Sequence, residues 1–141
     1  MKKNKIYFIA SYMKSGNTWV RSIICSLLNN GIFNLKDLQK IELLSQEKNF
    51  KNVKAFKYNK DGNVDFKFVS KNWINVQERI LKKNNKDILF YKTHSSRGII
   101  NDNYFTNEKV CGGFIYLIRD PRDIVISYSK HMNIKIDQAI E

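Results

Sequence analysis

Three short segments of this chain carry residue types whose spacing could hold a phosphate-rich ligand and move a proton. Residues 11–18 read Ser-Tyr-Met-Lys-Ser-Gly-Asn-Thr, between an apolar run and a helical pattern. Backbone amides in such a turn, with the N-terminus of the following helix, cradle phosphate oxygens. In register with a nucleotide-triphosphatase loop, Gly16 and Thr18 take the last glycine and the hydroxyl position. Ser11 replaces the first glycine, and Asn17 stands where the lysine would be. The cation lies upstream, at Lys14. The anion cradle is kept while the lysine that reaches the terminal phosphates of ATP is lost, which suits a different leaving group. The plain alternative is a strand-turn-helix in which Gly16 and Asn17 only make the turn.

The second segment, Lys92-Thr93-His94, follows the apolar run 88–91. Parallel sheets place ligands at the carboxyl ends of their strands. A histidine there can take a proton from a hydroxyl near neutral pH. Alternation along an extended segment puts Lys92 and His94 on the same side. Spacing alone fits a solvated lysine and a loop histidine equally well. The third segment begins at Arg119, which can pair bidentately with a phosphate from a strand end. Ser127, two helical turns on, offers a hydroxyl to the same anion. Arg119 could instead bridge to Asp123 or another carboxylate. A rival reading makes residues 115–120 a strand ending in a magnesium-binding aspartate, and the missing loop lysine argues against it. His131, the other histidine, falls late in a helical pattern and reads as structural or surface.

The elements that must position these groups follow from the apolar pattern. Residues 6–10 form a continuous apolar run, expected of a strand covered on both faces. Trp19, Val20, Ile23, Ile24, Leu27 and Leu28 recur at helical spacing and predict one buried stripe, with Gly31 where a helix stops. Asn34 suits the cap of a second helix carrying Leu35, Leu38, Ile41 and Leu44. Residues 53–69 alternate loosely around Asp61-Gly62, as a hairpin or an irregular excursion. Ser70 is the expected cap of a third helix bearing Trp73, Val76 and Ile80. Further buried strands are expected at 88–91 and 114–118. After the second, Asp120 suits an N-cap, Pro121 the first helical turn and Asp123 the positive end of the dipole. That helix continues through Ile124, Val125 and Tyr128. Buried strands alternating with amphipathic helices predict an α/β fold with a mostly parallel sheet.

Composition narrows the class. An apolar fraction of 43% with 13% aromatics fits a packed globule, and 141 residues suit a single domain, 1–141. One proline and six glycines leave no flexible linker. The net charge of +12 invites nucleic acid, but lysine is scattered from Lys2 to Lys135 and over-used together with Asn and Ile. That is read as compositional bias, not a nucleic-acid face, although a diffuse positive field attracts a small polyanion. The basic start and short apolar run are too short for a signal peptide, and no stretch is long enough to span a bilayer. Cys25 and Cys111 lack metal-ligand spacing, and Cys25 reads as a small core residue. A cytoplasmic setting is the default expectation.

With these residues in view, Ser11-Tyr12-Met13-Lys14-Ser15-Gly16-Asn17-Thr18-Trp19 resembles the phosphosulfate-binding loop of PAPS-dependent sulfotransferases. Met13 stands at the usual proline and Asn17 at the usual first threonine. Phe90-Tyr91-Lys92-Thr93-His94 is similar to the family's second motif, and residues 116–128 look like its 3′-phosphate motif. The resemblance implies that Lys14 contacts the bridging oxygen and 5′-phosphate of 3′-phosphoadenosine 5′-phosphosulfate, and that Ser15, Gly16, Asn17 and Thr18 supply amides and hydroxyls. It puts Trp19 against the adenine, where pattern alone would make it a core aromatic. It makes His94 the general base, Lys92 its electrostatic assistant, and Arg119 with Ser127 the 3′-phosphate site. It implies a small-molecule or glycan acceptor, transfer to a hydroxyl or amine, and no metal. A basic glycine-containing segment that completes the family's 3′-phosphate site has no counterpart here, and a new helix starts near Asp137. The expectation is therefore a P-loop-type sulfotransferase domain represented by its N-terminal portion and truncated. The rivals are a P-loop kinase or triphosphatase, and an inactive fragment.

Overall fold

Three parallel strands run side by side at the centre of the computed structural model, which describes residues 4–45, 47–51, 53, 58, 65–95 and 98–140. In chain order the elements are β1 (Lys5–Ser11), α1 (Asn17–Leu28), a 3-10 helix (Leu35–Lys40), α2 (Glu47–Phe50), α3 (Phe66–Lys83), β2 (Ile88–Thr93), β3 (Ile99–Ile100), β4 (Asn103–Tyr104), β5 (Cys111–Leu117), α4 (Pro121–Met132) and α5 (Ile136–Ile140). The sheet order is β2-β1-β5, and β3-β4 form a separate antiparallel pair. Register aligns Ala10 with Thr93 on one side, and Ser11 with Leu117 on the other. The carboxyl ends of all three strands are therefore level.

Side chains alternate along β1, so its two faces serve two cores. Ile6 and Phe8 join Val69, Trp73 and Val76 of α3 in the larger core. Ile9 turns the other way, onto Cys25 of α1 and Ile41. The result is helix, sheet, helix: the α/β architecture expected from the alternating pattern. Trp73 is fully buried, with its ring edge-on to Phe105 at 5.2 Å. Gln77, also fully buried, donates to the Phe105 carbonyl and accepts from the Thr106 hydroxyl, both at 2.6 Å. Those two bonds pin α3 to the segment leading into β5.

Several local expectations are corrected. The α1 stripe is not buried as a whole: Trp19, Ile23, Leu27 and Leu28 are exposed, while Val20, Ile24 and Cys25 pack inward. Asn34 does cap, through a reciprocal box with Asp37, but the helix it starts is a six-residue 3-10 turn, and Ile41 and Leu44 lie beyond it. α3 starts five residues earlier than a cap at Ser70 would place it. Its cap is Asp65, whose carboxylate accepts from the Lys67 amide, while the Ser70 hydroxyl bonds back to the Lys67 carbonyl. Most of the 53–65 stretch lies outside the described residues, and its continuation from Phe66 is helix where a hairpin was one expectation. Among the described residues, no helix is long and apolar enough to cross a membrane.

Candidate active site

The turn after β1 is held open by two unusual backbone conformations. Lys14 has φ 62° and Gly16 has φ 96°. For glycine this costs little, while a lysine in the left-handed region costs about 1–2 kcal/mol. The Lys14 carbonyl is held from across the site, by Arg119 donating to it at 3.0 Å. Asn17, buried under the loop, donates through its side-chain amide to the Ile9 carbonyl at 3.2 Å and to Ser11 Oγ at 3.1 Å. Where the triphosphatase pattern has its lysine, this chain has a peg that fastens helix to strand.

The start of α1 faces the same space. Gly16 supplies no side-chain cap, and the first turn contains no acidic residue. The amides of that turn have no intrahelical acceptor, and the helix dipole adds positive potential there. Ser15 Oγ and Asn17 Oδ1 are buried and have no hydrogen-bond partner among the described residues. Buried polar atoms are rarely left so.

The Lys92 end of β2 is clamped from two sides. It pairs with Ile9 of β1, and on its outer side its amide donates to the Glu42 carbonyl while its carbonyl accepts from Leu44. Burial, followed by the nearby Arg21 charge, holds the Lys92 ammonium below its ordinary pKa. Arg21 itself lies on the inner side of α1 and donates to the Leu38 carbonyl. Burial lowers its pKa too.

His94 Nδ1 lies 2.8 Å from the Ser11 carbonyl oxygen. A carbonyl can only accept, so Nδ1 carries a proton, and in the neutral tautomer Nε2 is the acceptor nitrogen. The imidazole is thereby oriented by the β1 backbone, and Nε2 has no hydrogen-bond partner among the described residues.

β5 leads through Arg119 and Asp120 into α4. Asp120 caps the helix, its carboxylate accepting from the Arg122 amide at 2.9 Å, and Pro121 occupies the first turn. Arg122 forks onto the same carboxylate and holds Asp120 below its ordinary pKa. Arg119 Nε is 3.8 Å from Asp123, a solvent-exposed pair of little energetic weight. The Arg119 hydrogen bond to the Lys14 carbonyl ties this motif to the loop.

One cavity of about 640 Å³ collects these groups. Lys14, Gly16, Asn17, Thr18 and Trp19 line it from the loop and α1, Lys92 and His94 from the end of β2, and Arg119 and Ser127 from the β5–α4 junction. Ser15 is the one predicted site residue outside the lining; it is buried in the turn beneath. Trp19 is 77% exposed, which overturns its reading as a core aromatic. Met13 sits on the wall without closing the space. Sequence reasoning missed Tyr128, His131 and Met132, which also line the cavity. Ser127 and His131 are one helical turn apart, and that spacing was the available signal. Five cationic or imidazole side chains reach this cavity from three segments, and among the described residues no carboxylate lines it, a setting for a polyanion. Among the described residues no cluster of His, Cys, Asp and Glu could hold a metal ion. Cys25 and Cys111 are free, and burial raises the Cys25 thiol pKa, which suits its place in the core.

A search of curated proteins found no match. The family model described as sulfotransferase domain matches residues 5–139, from β1 through α5. With nearly the whole chain covered and the sheet, loop and helices in the order described, the chain belongs to the sulfotransferase domain family.

Proposed function

We propose that this protein transfers a sulfuryl group from 3′-phosphoadenosine 5′-phosphosulfate to a hydroxyl or amine acceptor. The observation that carries the reading is the convergence of three separate segments on one cation-rich cavity at the level ends of the strands. Lys14 and the open α1 terminus receive the 5′-phosphosulfate, with the unpaired Ser15 hydroxyl available to the same anion. Trp19 offers an exposed indole face to the adenine. Arg119 and Ser127 hold the 3′-phosphate, with Arg119 as the forked donor.

In the transfer step the acceptor oxygen bonds to sulfur as the bond from sulfur to the bridging oxygen breaks. The electron pair of that bond stays on the leaving 5′-phosphate. The acceptor proton passes to His94 Nε2, the nitrogen left free by the Ser11 carbonyl. Lys14 and Lys92 stabilise the charge that grows on the leaving phosphate, from positions already set in the resting protein. A cytoplasmic setting, where both cysteines stay reduced, completes the reading.

Calorimetric titration with adenosine 3′,5′-bisphosphate in the presence of a chelator tests it. Saturable binding is expected. Magnesium-dependent turnover of ATP without bisphosphate binding would instead mark a P-loop kinase or triphosphatase. A folded chain that does neither would be an inactive fragment.

A further inference from the structure

α1 ends at the pole of the sheet opposite the cation-rich cavity. Leu28 and Asn29 there share a depression of about 350 Å³ with Lys86 and Ile88, where β2 begins. The corner leading into the 3-10 helix is made of large apolar side chains turned to solvent. Leu27, Leu28, Ile32 and Leu35 are each between 68% and 75% exposed, and none of them joins either core. Phe33 beside them is also exposed. The corner is firmly built. Gly31 donates to the Ser26 carbonyl at 2.8 Å, the Asn29 side chain donates to the Ile32 carbonyl at 3.1 Å, and Asn34 closes its cap with Asp37. The fold holds an apolar edge out in a fixed shape, and apolar surface gathered in this way marks a contact site.

Charge around the edge says what it meets. Lys36 follows Leu35, Lys40 and Lys86 line the depression, and Lys82 and Lys83 close α3 just before it. All five are exposed. Lys40 is paired with Asp37 at 2.6 Å, whereas the other four have no carboxylate partner among the described residues. Aliphatic side chains ringed by lysine suit the boundary of an anionic bilayer, where the first enter the acyl region and the second reach lipid phosphates. A protein partner fits less well, because the centres of protein interfaces favour aromatics and arginine and are poor in lysine. A second copy of the same face would set lysine against lysine.

We infer that this corner seats the protein on an anionic membrane surface, with Leu27, Leu28, Ile32 and Leu35 in the acyl boundary and Lys36 and Lys86 on headgroup phosphates. α1, with 12 residues and a length of about 18 Å, then stands between the bilayer and the phosphate loop at its other end. The cation-rich cavity faces the aqueous phase, open to dissolved ligands.

The test sediments the whole chain with vesicles of phosphatidylcholine alone and of phosphatidylcholine with phosphatidylserine. Binding to the mixed vesicles, and little to the neutral ones, is expected. Leu28→Ser combined with Ile32→Ser should cut the mixed-vesicle affinity about tenfold or more, with the melting temperature unchanged because both side chains are exposed. Lys86→Gln should cost about fivefold, the share of one lysine near an anionic surface. Lys71→Gln, an exposed position in the first half of α3, should cost much less. Equal losses from the two lysine changes, or no loss from the paired serine changes, would trace binding to diffuse charge and overturn the docking. Failure to bind either vesicle refutes it outright, and self-association abolished by the paired serine changes would then assign the edge to a second copy. Orientation gives an independent reading. Vesicles with brominated acyl chains should quench the emission added by Leu35→Trp and spare that of Trp19, which lines the cavity. The reverse pattern would put the other end of the molecule on the bilayer and sink the inference.

Discussion

The Arg119 guanidinium donates to the Lys14 carbonyl oxygen at 3.0 Å, joining the end of β5 to the turn after β1. Lys14 is there in a left-handed backbone conformation that its side chain disfavours. The proposed 3′-phosphate anchor therefore also props the proposed 5′-phosphosulfate loop.

Replacing that arginine should harm both ends of the donor site. Arg119→Ala is expected to weaken adenosine 3′,5′-bisphosphate by about tenfold or more, the scale of one charge-assisted hydrogen bond. Arg119→Lys should recover only part of this, because the fork is lost. Calorimetry decides, and an unchanged affinity in Arg119→Ala would remove the residue from the anchor.

His94→Ala should lower the rate of sulfuryl transfer by at least about 100-fold, the contribution of a positioned general base. Bisphosphate should still bind. Ordinary turnover in this variant would take away the proton-acceptor role.

Lys92 makes a prediction in which activity and stability move oppositely. Its folded-state pKa lies below its unfolded value, because of burial and then Arg21. Below the folded pKa both states are charged, and the cost of burying that charge is fully present. As pH rises from the folded pKa toward the ordinary lysine value, the unfolded state holds more protons and the cost is relieved. Lys92→Met should thus raise the melting temperature at pH 7, with the gain shrinking at alkaline pH. It should cost about 100-fold in transfer rate. A melting temperature that falls at pH 7 would contradict the account.

Gly16 and Gly31 give a matched pair. Both have positive φ, 96° and 85°, and an added Cβ would meet nothing within 4 Å at either. The cost of alanine is then conformational, about 1–2 kcal/mol at each in chemical denaturation. Gly16→Ala should also weaken bisphosphate, since it shifts the loop, while Gly31→Ala at the end of α1 should not. Equal effects on binding would mean that the loop conformation is incidental to the ligand.

The sequence exposed the three strands, their junctions and the groups at their ends because each carries an apolar run, although the burial expected of such runs holds for β1 and not for β5, where Ile115 and Tyr116 are exposed. It could not orient α1. Trp19-Val20 and Ile23-Ile24 are adjacent apolar pairs, so two neighbouring faces satisfy the helical period equally. Packing on β1 selects Val20, Ile24 and Cys25, and turns Trp19 toward the cavity. The start of α3 was misplaced for a similar reason: Asp65 and Ser70 are both good caps, and Phe66 and Val69 extend the apolar stripe backward only once Trp73 is known to face inward. The Asp65 cap can be checked directly. Asp65→Ala should cost about 1 kcal/mol in denaturation, and Ser70→Ala should not act as the loss of a cap.

β1 stands in the middle of the sheet, yet both strands that flank it come much later in the chain. The His94–Ser11 contact closes a loop of 83 positions and the Arg119–Lys14 contact one of 105. Closing such loops is slow, and no partial version of the site can exist while it happens. Ligand affinity and the enclosure of the Trp73 indole should therefore be gained together on refolding, in one late kinetic phase, and two separated phases would refute that coupling. In the interval the bare, apolar β1 is open to the wrong partner, and dilute, cool refolding should favour recovery of native protein.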